Sequence, residues 1–551
     1  MGSILQILLA LGTLALPELL DLDGSRSGWL ALGLVGLLPV PHLVAALVHR
    51  LALRGRFRLA TLWERVLGLV PLAGQAFSVL LLGWPDALER LGVEGASLTG
   101  WPGIGLLSGM LPFLVLTWLA IDARARLHAS TVDAISGVRA FHVRLFLSGF
   151  LPIALYLFVS GLVGSSESWR VHLEEVAALS ALFTTAFLAL FVVLMPRLLA
   201  ATWDTAPIER GPLRDFLEVL AERARFRCRD LLVWRTGAQV ANATIVGFTR
   251  WGRIVLFSDV LLSTLQPLEV GAVFGHEMGH ARRKHAVIFA AQAIGVLLAA
   301  DLAGTTFAGD DPVAGLWILA GAIVLFAASF GYLSRRFELE ADLESLELIG
   351  TSRPLIGALE KVTGAHAYER SSWRHFSTAD RVRFLRAVEL DPEVGRALRR
   401  RLSRWSRLGF VFLAAVLLLQ ARQLAATWTE DGILVDLRLG RYERAAESVE
   451  RARDEGVALD EERLEEWVEL ATTLAPEART PAELDRSAQA AFREKELERA
   501  LLLLELAYLR GSVELGPVLD ALEALIDGER DAEAEEDCPA VWRELLKRFG
   551  A

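Results

Sequence analysis

Nine apolar runs, each long enough to form a helix that crosses a lipid bilayer, constrain the fold of this chain more than any other feature. A membrane-spanning helix needs about 20 mostly apolar residues, because the hydrocarbon core of a bilayer is about 30 Å thick. The runs lie near 4–20, 29–49, 66–84, 102–121, 145–164, 176–196, 286–304, 312–332 and 408–426. The first lacks a basic start and a small-residue cleavage site, so we expect a retained anchor rather than a signal peptide. The pattern predicts a mainly α, polytopic α-helical membrane protein.

The charges of the loops between these runs predict on which side of the membrane each loop lies. Arginines crowd the second and fourth loops, whereas the first and third loops carry acidic residues. Lys and Arg are retained on the cytoplasmic side, so we expect the even-numbered loops, the stretch 197–285 and the loop that begins at Ser334 to be cytoplasmic. The arginine-rich stretch 396–407 is expected there too, which places residues 430–551 on the opposite side.

Residues 275–285 read G-H-E-M-G-H-A-R-R-K-H. In a helix, His276 and His280 lie at i and i+4 on one face, so both imidazoles can reach one metal ion with Glu277 beside it. This H-E-x-x-H pattern is typical of catalytic zinc, which keeps three protein ligands and an open position for a water whose pKa falls to about 7. The sequence predicts one zinc per chain, with Glu277 as the base. Two surface histidines on a helix are the alternative interpretation.

The third ligand is predicted in the segment S-R-R-F-E-L-E-A-D at 334–342. Glu338 would complete a His-His-Glu set, and Asp342, at i+4, would accept a hydrogen bond from a ligand histidine and hold its tautomer. Glu340 competes as ligand but points about 200° around the helix from Glu338. His285 is interpreted as a substrate-side or interfacial residue rather than a ligand, because a fourth protein ligand would close the open position.

Short β-prone runs before the motif predict a small sheet beside the histidine helix. These runs are 231–234, 243–248 and 254–257, the last two joined as a hairpin. An edge strand there could pair with the extended backbone of a substrate, or the hairpin could merely cover the helix. An amphipathic helix is predicted at 213–225, and Pro267 is predicted to begin the histidine helix.

Four sequence elements together resemble the membrane metalloprotease family of HtpX and the CAAX prenyl protease. They are H-E-x-G-H-x-x-x-x-H at 276–285, E-x-x-x-D at 338–342, Asn242-Ala243 before a hairpin, and His375 six residues before Arg381. The resemblance covers about residues 205–390 and implies a gluzincin-like α+β zinc protease domain. It implies that Asn242 lies on the approach to the substrate cleft, and that His375 and Arg381 lie near zinc and substrate. A side chain of this kind could donate a hydrogen bond to the oxyanion of the tetrahedral intermediate.

The remaining sequence is divided by composition. We expect an N-terminal transmembrane region of about six helices at 1–200, a metalloprotease domain at 205–390 interrupted by helices at 286–304 and 312–332, a last span at 408–426, and an acidic helical domain at 430–551. L-G-R-Y-E-R-A at 439–445 resembles part of a tetratricopeptide helix pair, but the second fragment, at 496–501, does not follow at the repeat length. Cys228 and Cys538 form neither a disulfide framework nor a zinc site.

The leading functional hypothesis is an integral zinc-dependent endopeptidase of the cytoplasmic membrane, whose site faces the cytoplasm. The expected partners are protein or peptide substrates and the lipid bilayer, with a protein partner of the C-terminal domain left open and no nucleic acid. The alternatives are a CAAX-type processing protease and a catalytically silent scaffold or sensor, although an intact Glu277 argues against silence. A transporter is disfavoured because the apolar runs contain almost no charged residues.

Overall fold

A computed structural model of the 551-residue chain is mainly helical. The structure describes residues 2–19, 30–93, 103, 105–129, 131–247, 249, 251–308, 312–363, 368–439 and 441–454, together with a few isolated positions between 484 and 504. Cys538 and most of the predicted acidic domain at 430–551 lie outside these residues.

Eleven helices precede the first strand. They are α1 (Gly2–Gly12), α2 (Leu16–Leu19), α3 (Leu30–Leu37), α4 (Val40–Leu53), α5 (Phe57–Leu80), α6 (Trp84–Arg90), α7 (Gly105–Gly109), α8 (Leu111–His128), α9 (Val132–Gly164), α10 (Glu167–Glu175) and α11 (Ala177–Thr202).

Among the described residues, six helical segments are long and apolar enough to cross a membrane. They are Leu30–Leu53, Val132–Gly164, Ala178–Thr202, His285–Ala308, Val313–Ile349 and Pro392–Ala425. A seventh is added if α5 and α6, which are bent by 57° relative to each other, are counted as one broken span. The predicted polytopic helical membrane fold is therefore confirmed, with six or seven candidate spans in the described part of the chain instead of nine.

Two of the nine predicted runs do not form such helices. The run at 4–20 is divided among α1, a 3-10 turn at Thr13–Ala15 and α2. Each of these pieces is too short to cross the hydrocarbon core of a bilayer. In the run at 102–121, α8 begins only at Leu111, and its later turns carry Asp122, Arg124 and Arg126. The uncharged part of α8 is therefore too short for a span by itself.

The segment that follows α11 contains a four-stranded sheet. Its strands are β1 (Thr205–Pro207), β2 (Asp230–Trp234), β3 (Ala243–Val246) and β4 (Ile254–Ser258), in the order β1-β2-β4-β3. Strands β2 and β4 are parallel, while β1 pairs with β2 and β3 pairs with β4 in antiparallel fashion. The three predicted runs thus form strands, and β3 lies at one edge. The sequence did not indicate β1, a short edge strand that ends in a proline.

The helices after the first strand complete the fold. They are α12 (Pro212–Arg223), α13 (Asp259–Thr264), α14 (Pro267–Arg282), α15 (His285–Ala303), α16 (Pro312–Ile349), α17 (Arg353–Thr363), α18 (Thr378–Leu390), α19 (Pro392–Arg438) and α20 (Tyr442–Asp454). The predicted amphipathic helix is α12, and Pro267 occupies the first turn of α14 as expected.

One apolar core joins the sheet to α12, α14 and α16. Phe257 of β4 and Phe274 of α14 are fully buried, with ring centroids 5.9 Å apart in an edge-on arrangement. Leu217 of α12 and Leu348 of α16 belong to the same cluster. Burial of each large apolar side chain stabilises the fold by about 1.5–3 kcal/mol. This core holds α14 rigidly between the sheet and α16.

The contacts between its residues divide the chain into two compact units. One unit comprises Met1–Leu162 and Ala186–Gln420, and the other comprises Val163–Thr185 and Ala421–Ala551. All candidate site residues belong to the first unit. In the second, α20 follows α19 after a short connection at the L-G-R-Y-E-R-A stretch. The four-part division by composition remains a prediction.

Candidate metal centre

Helix α14 carries the two histidines, and both of its ends are defined by local chemistry. Gln266 and Glu269 form a reciprocal capping box at its start. The helix ends at Arg282, and Lys284 adopts a left-handed conformation with φ of 56°. This backbone conformation is uncommon for a residue other than glycine. It turns the chain sharply, so His285 begins α15 instead of continuing α14.

Two glycines allow α16 to approach α14 closely. A Cβ atom on Gly279 would lie 2.9 Å from Ala341 Cα, and one on Gly275 would lie 3.1 Å from Ser345 Cα. The Ser345 hydroxyl donates a hydrogen bond of 2.6 Å to the Ala272 carbonyl across the same contact. Only residues without a side chain fit here. The close approach at these glycines brings the acidic segment of α16 against the histidines.

The donor atoms of His276, His280 and Glu338 converge. The two Nε2 atoms of the histidines are 3.2 Å apart. The Glu338 carboxylate oxygens lie 3.8 Å from His276 Nε2 and 3.6 Å from His280 Nε2. A tetrahedral zinc ion with bonds of about 2.0–2.2 Å separates its ligand atoms by about 3.3 Å. The three side chains therefore fit a single metal ion of this size.

Asp342 holds the first histidine. His276 Nδ1 donates to Asp342 Oδ1 over 2.8 Å, and Arg381 donates to both oxygens of the same carboxylate, over 2.9 and 2.5 Å. Asp342 is fully buried. Burial lowers the pKa of His276, but the hydrogen bond to Asp342 and its negative charge outweigh this effect and raise the pKa above its ordinary value. With the proton on Nδ1, the neutral ring keeps its Nε2 lone pair for a metal.

A second chain of contacts holds the other histidine. His285 Nε2 lies 2.9 Å from a Glu340 oxygen, and His285 Nδ1 lies 2.9 Å from His280 Nδ1. If His285 donates to Glu340, its Nδ1 accepts from His280, whose Nε2 is then bare and faces Glu338. The His285 ring also stacks on Phe337, with centroids 4.0 Å apart. Burial lowers the pKa of His280 to about 3, which keeps the ring neutral.

These contacts give His285 and Glu340 a place that sequence reasoning did not assign. His285 is only 2% exposed, but it lines the same cavity as His280 and Glu338, so its place on the substrate side stays a prediction. Glu340 is buried against His285 and points away from the cluster of donors. Their contact depends on the chain reversal at Lys284, which has no sequence signal because the residue is not a glycine.

Glu277 lies beside the three donors. Its side chain is half-buried and lines a cavity of about 720 Å³ together with His280 and Glu338. Burial raises the pKa of Glu277 to about 7. Its carboxylate makes no hydrogen bond to any residue that the structure describes. A base works best when its pKa lies near the working pH, so the position suits proton transfer.

His375, Arg381 and Asn242, which the family resemblance indicated, lie at different distances from the cluster of donor atoms. His375 is half exposed in the cavity wall, with Nδ1 3.6 Å from a Glu338 oxygen. Arg381 is largely buried and is held by Asp342 and, at 3.5 Å, by Glu338. Asn242 immediately precedes β3, where its backbone N–H donates to Ser258 Oγ over 2.9 Å. Asn242 is not among the residues that line the described cavity, although Thr244, two positions later, is.

Comparison with known proteins gives a match over the segment that holds these residues. Residues 207–389 match the sequence model of Peptidase family M48. The chain is 26% identical over 238 residues to the CAAX prenyl protease 1 homolog of Arabidopsis thaliana, which covers 38% of this chain and 56% of that protein. It is 29% identical over 203 residues to the Protease HtpX homolog of Chlorobium phaeobacteroides, and this match covers 32% of this chain and 66% of that protein.

A comparison with solved structures finds S. mikatae Ste24p, with a TM-score of 0.39 and 15% sequence identity, covering 65% of this chain and 97% of that one. This chain spans between about half and two thirds of the length of the two relatives named above. The match to a metalloprotease family confirms the resemblance that the sequence motifs predicted.

Proposed function

We propose that this multi-pass membrane protein, with its match to Peptidase family M48 over residues 207–389, is a zinc-dependent endopeptidase of the H-E-x-x-H, gluzincin type. The observation that carries the proposal is the convergence of His276, His280 and Glu338 in the wall of a cavity that also exposes Glu277. The cavity is bordered by the first turns of α15 and the last apolar turns of α16, both candidate spans. Its substrates are therefore membrane or membrane-proximal proteins.

The donor set supports zinc as the metal. Two imidazoles and one carboxylate are a set that catalytic zinc accepts. When bound, zinc polarises a peptide carbonyl and lowers the pKa of a water molecule to about 7. In the described part of the chain, His285 and Glu340 are engaged with each other behind His280. The side of the cluster that faces the cavity is left open for water and substrate.

Glu277 carries the proton in this proposal. Its carboxylate accepts a proton from the attacking water and then delivers it to the nitrogen of the leaving amine. The water supplies a hydroxyl group to the carbonyl carbon, the C–N bond breaks, and the two products are a carboxylic acid and an amine. A carboxylate that is half-buried and free of other hydrogen bonds among the described residues can perform both transfers without first breaking a contact.

His375 and Arg381 have separate roles. His375 lines the cavity and is half exposed, so its ring can donate a hydrogen bond to the oxyanion that develops on the substrate. Arg381 Nε and Nη2 donate to Asp342, and Nη1 lies 3.5 Å from a Glu338 oxygen. Arg381 therefore acts on the reaction through Asp342 and His276, as a positioning residue.

The edge of the sheet supports a way to bind an extended substrate. Strand β3 pairs with β4 on one side only, and Thr244 and Ile245 line the cavity. The Ser258 N–H donates to the Asn242 carbonyl, so the alternation of an antiparallel pair turns the backbone groups of Ala243 and Ile245 outward. A substrate strand can pair with these groups whatever its side chains. Asn242, at the entrance of β3, lies on this approach.

The Glu277→Gln variant tests the proposal. In purified full-length protein we expect stoichiometric zinc, because Glu277 is not a ligand, and a rate lowered by about 10²–10⁴-fold, because the base is lost. His276→Ala and Glu338→Ala should each abolish stoichiometric zinc. Glu360→Gln, which alters an exposed carboxylate on α17, is the matched control and should leave both quantities unchanged. Full activity of Glu277→Gln would contradict the mechanism.

Substrates are found by comparing the membrane proteomes of cells that carry the wild type or Glu277→Gln. New peptide termini that depend on Glu277 identify cleaved proteins. A catalytically silent scaffold instead predicts identical termini in both cell lines. One relative is named CAAX prenyl protease 1 homolog, which supports a narrower alternative. Removal of a short C-terminal peptide from a prenylated probe, with no internal cleavage of other proteins, would favour that alternative.

Loop charges support the cytoplasmic membrane as the site of action, with the cavity facing the cytoplasm. The arginine-rich loops 50–65 and 124–144 are expected on the cytoplasmic side, where such loops are retained. The stretch that leads from α11 to α14 lies between two candidate spans and shares this side in the predicted topology. A protease-cleavable tag inserted after Arg225 would check the assignment. Protease added to the outside should cut the tag in permeabilised cells but not in intact cells.

A further inference from the structure

A second cavity lies outside the metal centre, where α19 meets the ends of α14 and α15. Its volume is about 650 Å³. Five arginines and a single acidic residue are the charged groups in its wall: Arg283, Arg399, Arg400, Arg404, Arg407 and Glu340. Such a concentration of guanidinium groups around one cavity is costly in self-repulsion unless an anion compensates it.

Carboxylates satisfy only part of this positive charge. Arg283 and Arg399 share buried Glu344, at 2.7 and 3.0 Å. Arg399 also donates to Glu347 over 2.7 Å, and Arg400 lies 3.4 Å from Glu393. Arg404 and Arg407 have no carboxylate partner within the described residues, and Arg407 donates only to the hydroxyl of Ser403.

A buried donor at the same place is also unsatisfied. Arg399 Nε is shielded from solvent and has no hydrogen-bond partner among the described atoms. A buried donor without an acceptor costs about 1–3 kcal/mol. The cavity therefore offers the positive charge of Arg404 and Arg407 to an incoming group with several acceptor oxygens.

An apolar groove continues from this cavity along the membrane helices. It has a volume of about 400 Å³ and lies between α15, α16 and α19. Ile288 and Ser406 line both the cavity and the groove, so the two are continuous. Val296, Leu325 and Phe412 line the groove farther along these candidate spans. Trp405, about half exposed beside the junction, is of a type that is enriched at the membrane–water interface.

We propose that the cavity and the groove together bind one anionic glycerophospholipid of the surrounding membrane. The phosphate lies among the arginines, where guanidinium groups can bind its oxygens in pairs. An acyl chain occupies the groove between the three helices. Basic pockets beside membrane helices on the cytoplasmic side are suited to such headgroups. The apolar groove selects a lipid over a free phosphate ion, which would leave the groove empty.

The site is distinct from the substrate cavity. The lipid site is lined by Arg283 and by residues of α15, α16 and α19, and none of these residues lines the cavity that contains β3, Glu277 and His375. The proposal therefore does not depend on the proposed peptidase activity, and its test measures binding alone.

The test uses full-length protein in detergent, titrated with phosphatidylglycerol or phosphatidylcholine of identical acyl chains and followed by native mass spectrometry. We expect the wild type to bind one phosphatidylglycerol in preference to phosphatidylcholine. The double variant Arg404→Gln/Arg407→Gln should bind phosphatidylglycerol about 30-fold more weakly, because each arginine near an anionic headgroup contributes about fivefold. The control Arg396→Gln/Arg401→Gln removes the same charge from exposed positions of α19 that do not line the cavity. It should change binding by less than about twofold.

A second variant tests the acyl chain. No atom of the described residues lies within 4 Å of a Cβ added to Gly409, so Gly409→Phe fills the groove without a clash at its first atom. We expect Gly409→Phe to weaken the binding of phosphatidylglycerol. We also expect that inorganic phosphate does not compete with phosphatidylglycerol for the site. If millimolar phosphate displaces phosphatidylglycerol and Gly409→Phe binds phosphatidylglycerol as tightly as the wild type does, the cavity is a site for a free anion. This result would overturn the lipid assignment. Equal losses in both double variants would mean non-specific attraction and would overturn it as well. An unchanged unfolding temperature in each variant shows that folding is intact.

Discussion

Each of the two ligand histidines is bound through Nδ1 to a different partner. His276 donates to a carboxylate, Asp342, whereas His280 contacts another imidazole, His285, which in turn contacts Glu340. In both cases Nε2 is left for the metal. An imidazole whose second nitrogen is held cannot rotate away when the metal leaves, so the empty site stays ordered.

Asp342→Asn tests the first of these contacts. The change removes the negative charge that holds His276 and Arg381, and we expect zinc affinity to fall by about 10- to 100-fold. Competition with a chelator measures this affinity. Because loss of the charge also leaves Arg381 short of a partner, the unfolding temperature without metal is recorded in parallel. A wild-type zinc affinity in this variant would show that Asp342 does not support the ligand.

His285 provides the matching test for the second contact. His285→Phe keeps the aromatic stack on Phe337 but removes the acceptor for His280, and we expect zinc affinity to fall about tenfold. His285→Asn places an oxygen close to the position of Nδ1 and should recover part of the loss. The absorption spectrum of the cobalt-substituted protein reports whether the ligand geometry changes. Equal zinc affinity of the Phe variant and the wild type would show that His285 only fills space.

At this scale the sequence predicts which donor side chains cluster better than it predicts the residues around them. The spacing of His276, His280, Glu338 and Asp342 follows from the 3.6-residue turn of a helix, which needs no tertiary information. The His285 contact requires the left-handed turn at Lys284, and the role of Arg381 requires α18 to pack on α16. Neither depends on a local pattern, so neither can be obtained from spacing.

At the scale of elements, the close contact between α14 and α16 sets the geometry of the site. Gly279→Ala would place a Cβ 2.9 Å from Ala341 Cα, so the two backbones must separate. Glu338 would move from the histidines, and we expect zinc affinity to fall at least tenfold with a lower unfolding temperature. Gly321→Ala, where a Cβ meets no described atom within 4 Å, is the control on α16. Ala has a higher helix propensity than Gly, so an equal loss in both variants would show that the contact between α14 and α16 is not responsible.

The outer edge of β3 is the proposed binding site for the substrate backbone, and it can be tested separately. The N–H of Ile245 points away from β4 in the antiparallel register, so Ile245→Pro removes a donor to the substrate without removing a ladder bond. We expect kcat/KM to fall about tenfold, the value of one hydrogen bond, with zinc content unchanged. Ile245→Val keeps the donor and should resemble the wild type. An active Ile245→Pro variant would indicate that the hairpin only covers α14.

Element prediction from the sequence was accurate where a pattern was long or strongly biased. The strands β2, β3 and β4 are β-branched and apolar, and the histidine helix has a proline at its start. The apolar runs near the N-terminus were assigned by composition alone. Hydropathy does not reveal where a helix breaks, so it predicts one span at 4–20, where the structure has a 3-10 turn at Thr13–Ala15.

At the scale of the whole molecule, the side occupied by the C-terminal domain can be tested. Pro392–Ala425 meets the criteria for a membrane span, and its arginine-rich start is retained in the cytoplasm by loop charge. We therefore expect residues 430–551 on the opposite side from the metal centre. In cells carrying Cys228→Ala, an impermeant thiol reagent should label Cys538 without permeabilisation. Labelling only after permeabilisation would place this domain in the cytoplasm.

Helix α16 runs from Pro312 to Ile349 without a break and carries Glu338, a proposed metal ligand, on its extension beyond the apolar stretch. Glu338 follows Tyr332, near the end of that stretch, by six residues, which is about 9 Å at 1.5 Å per residue. The height of the reacting atoms above the hydrocarbon is thus fixed by a single rod. An anchored substrate can present a bond at this height only about three extended residues from the end of its own anchor. If the proposed peptidase activity is correct, we expect the cleaved bond to be selected more by its distance from the bilayer than by the residues around it.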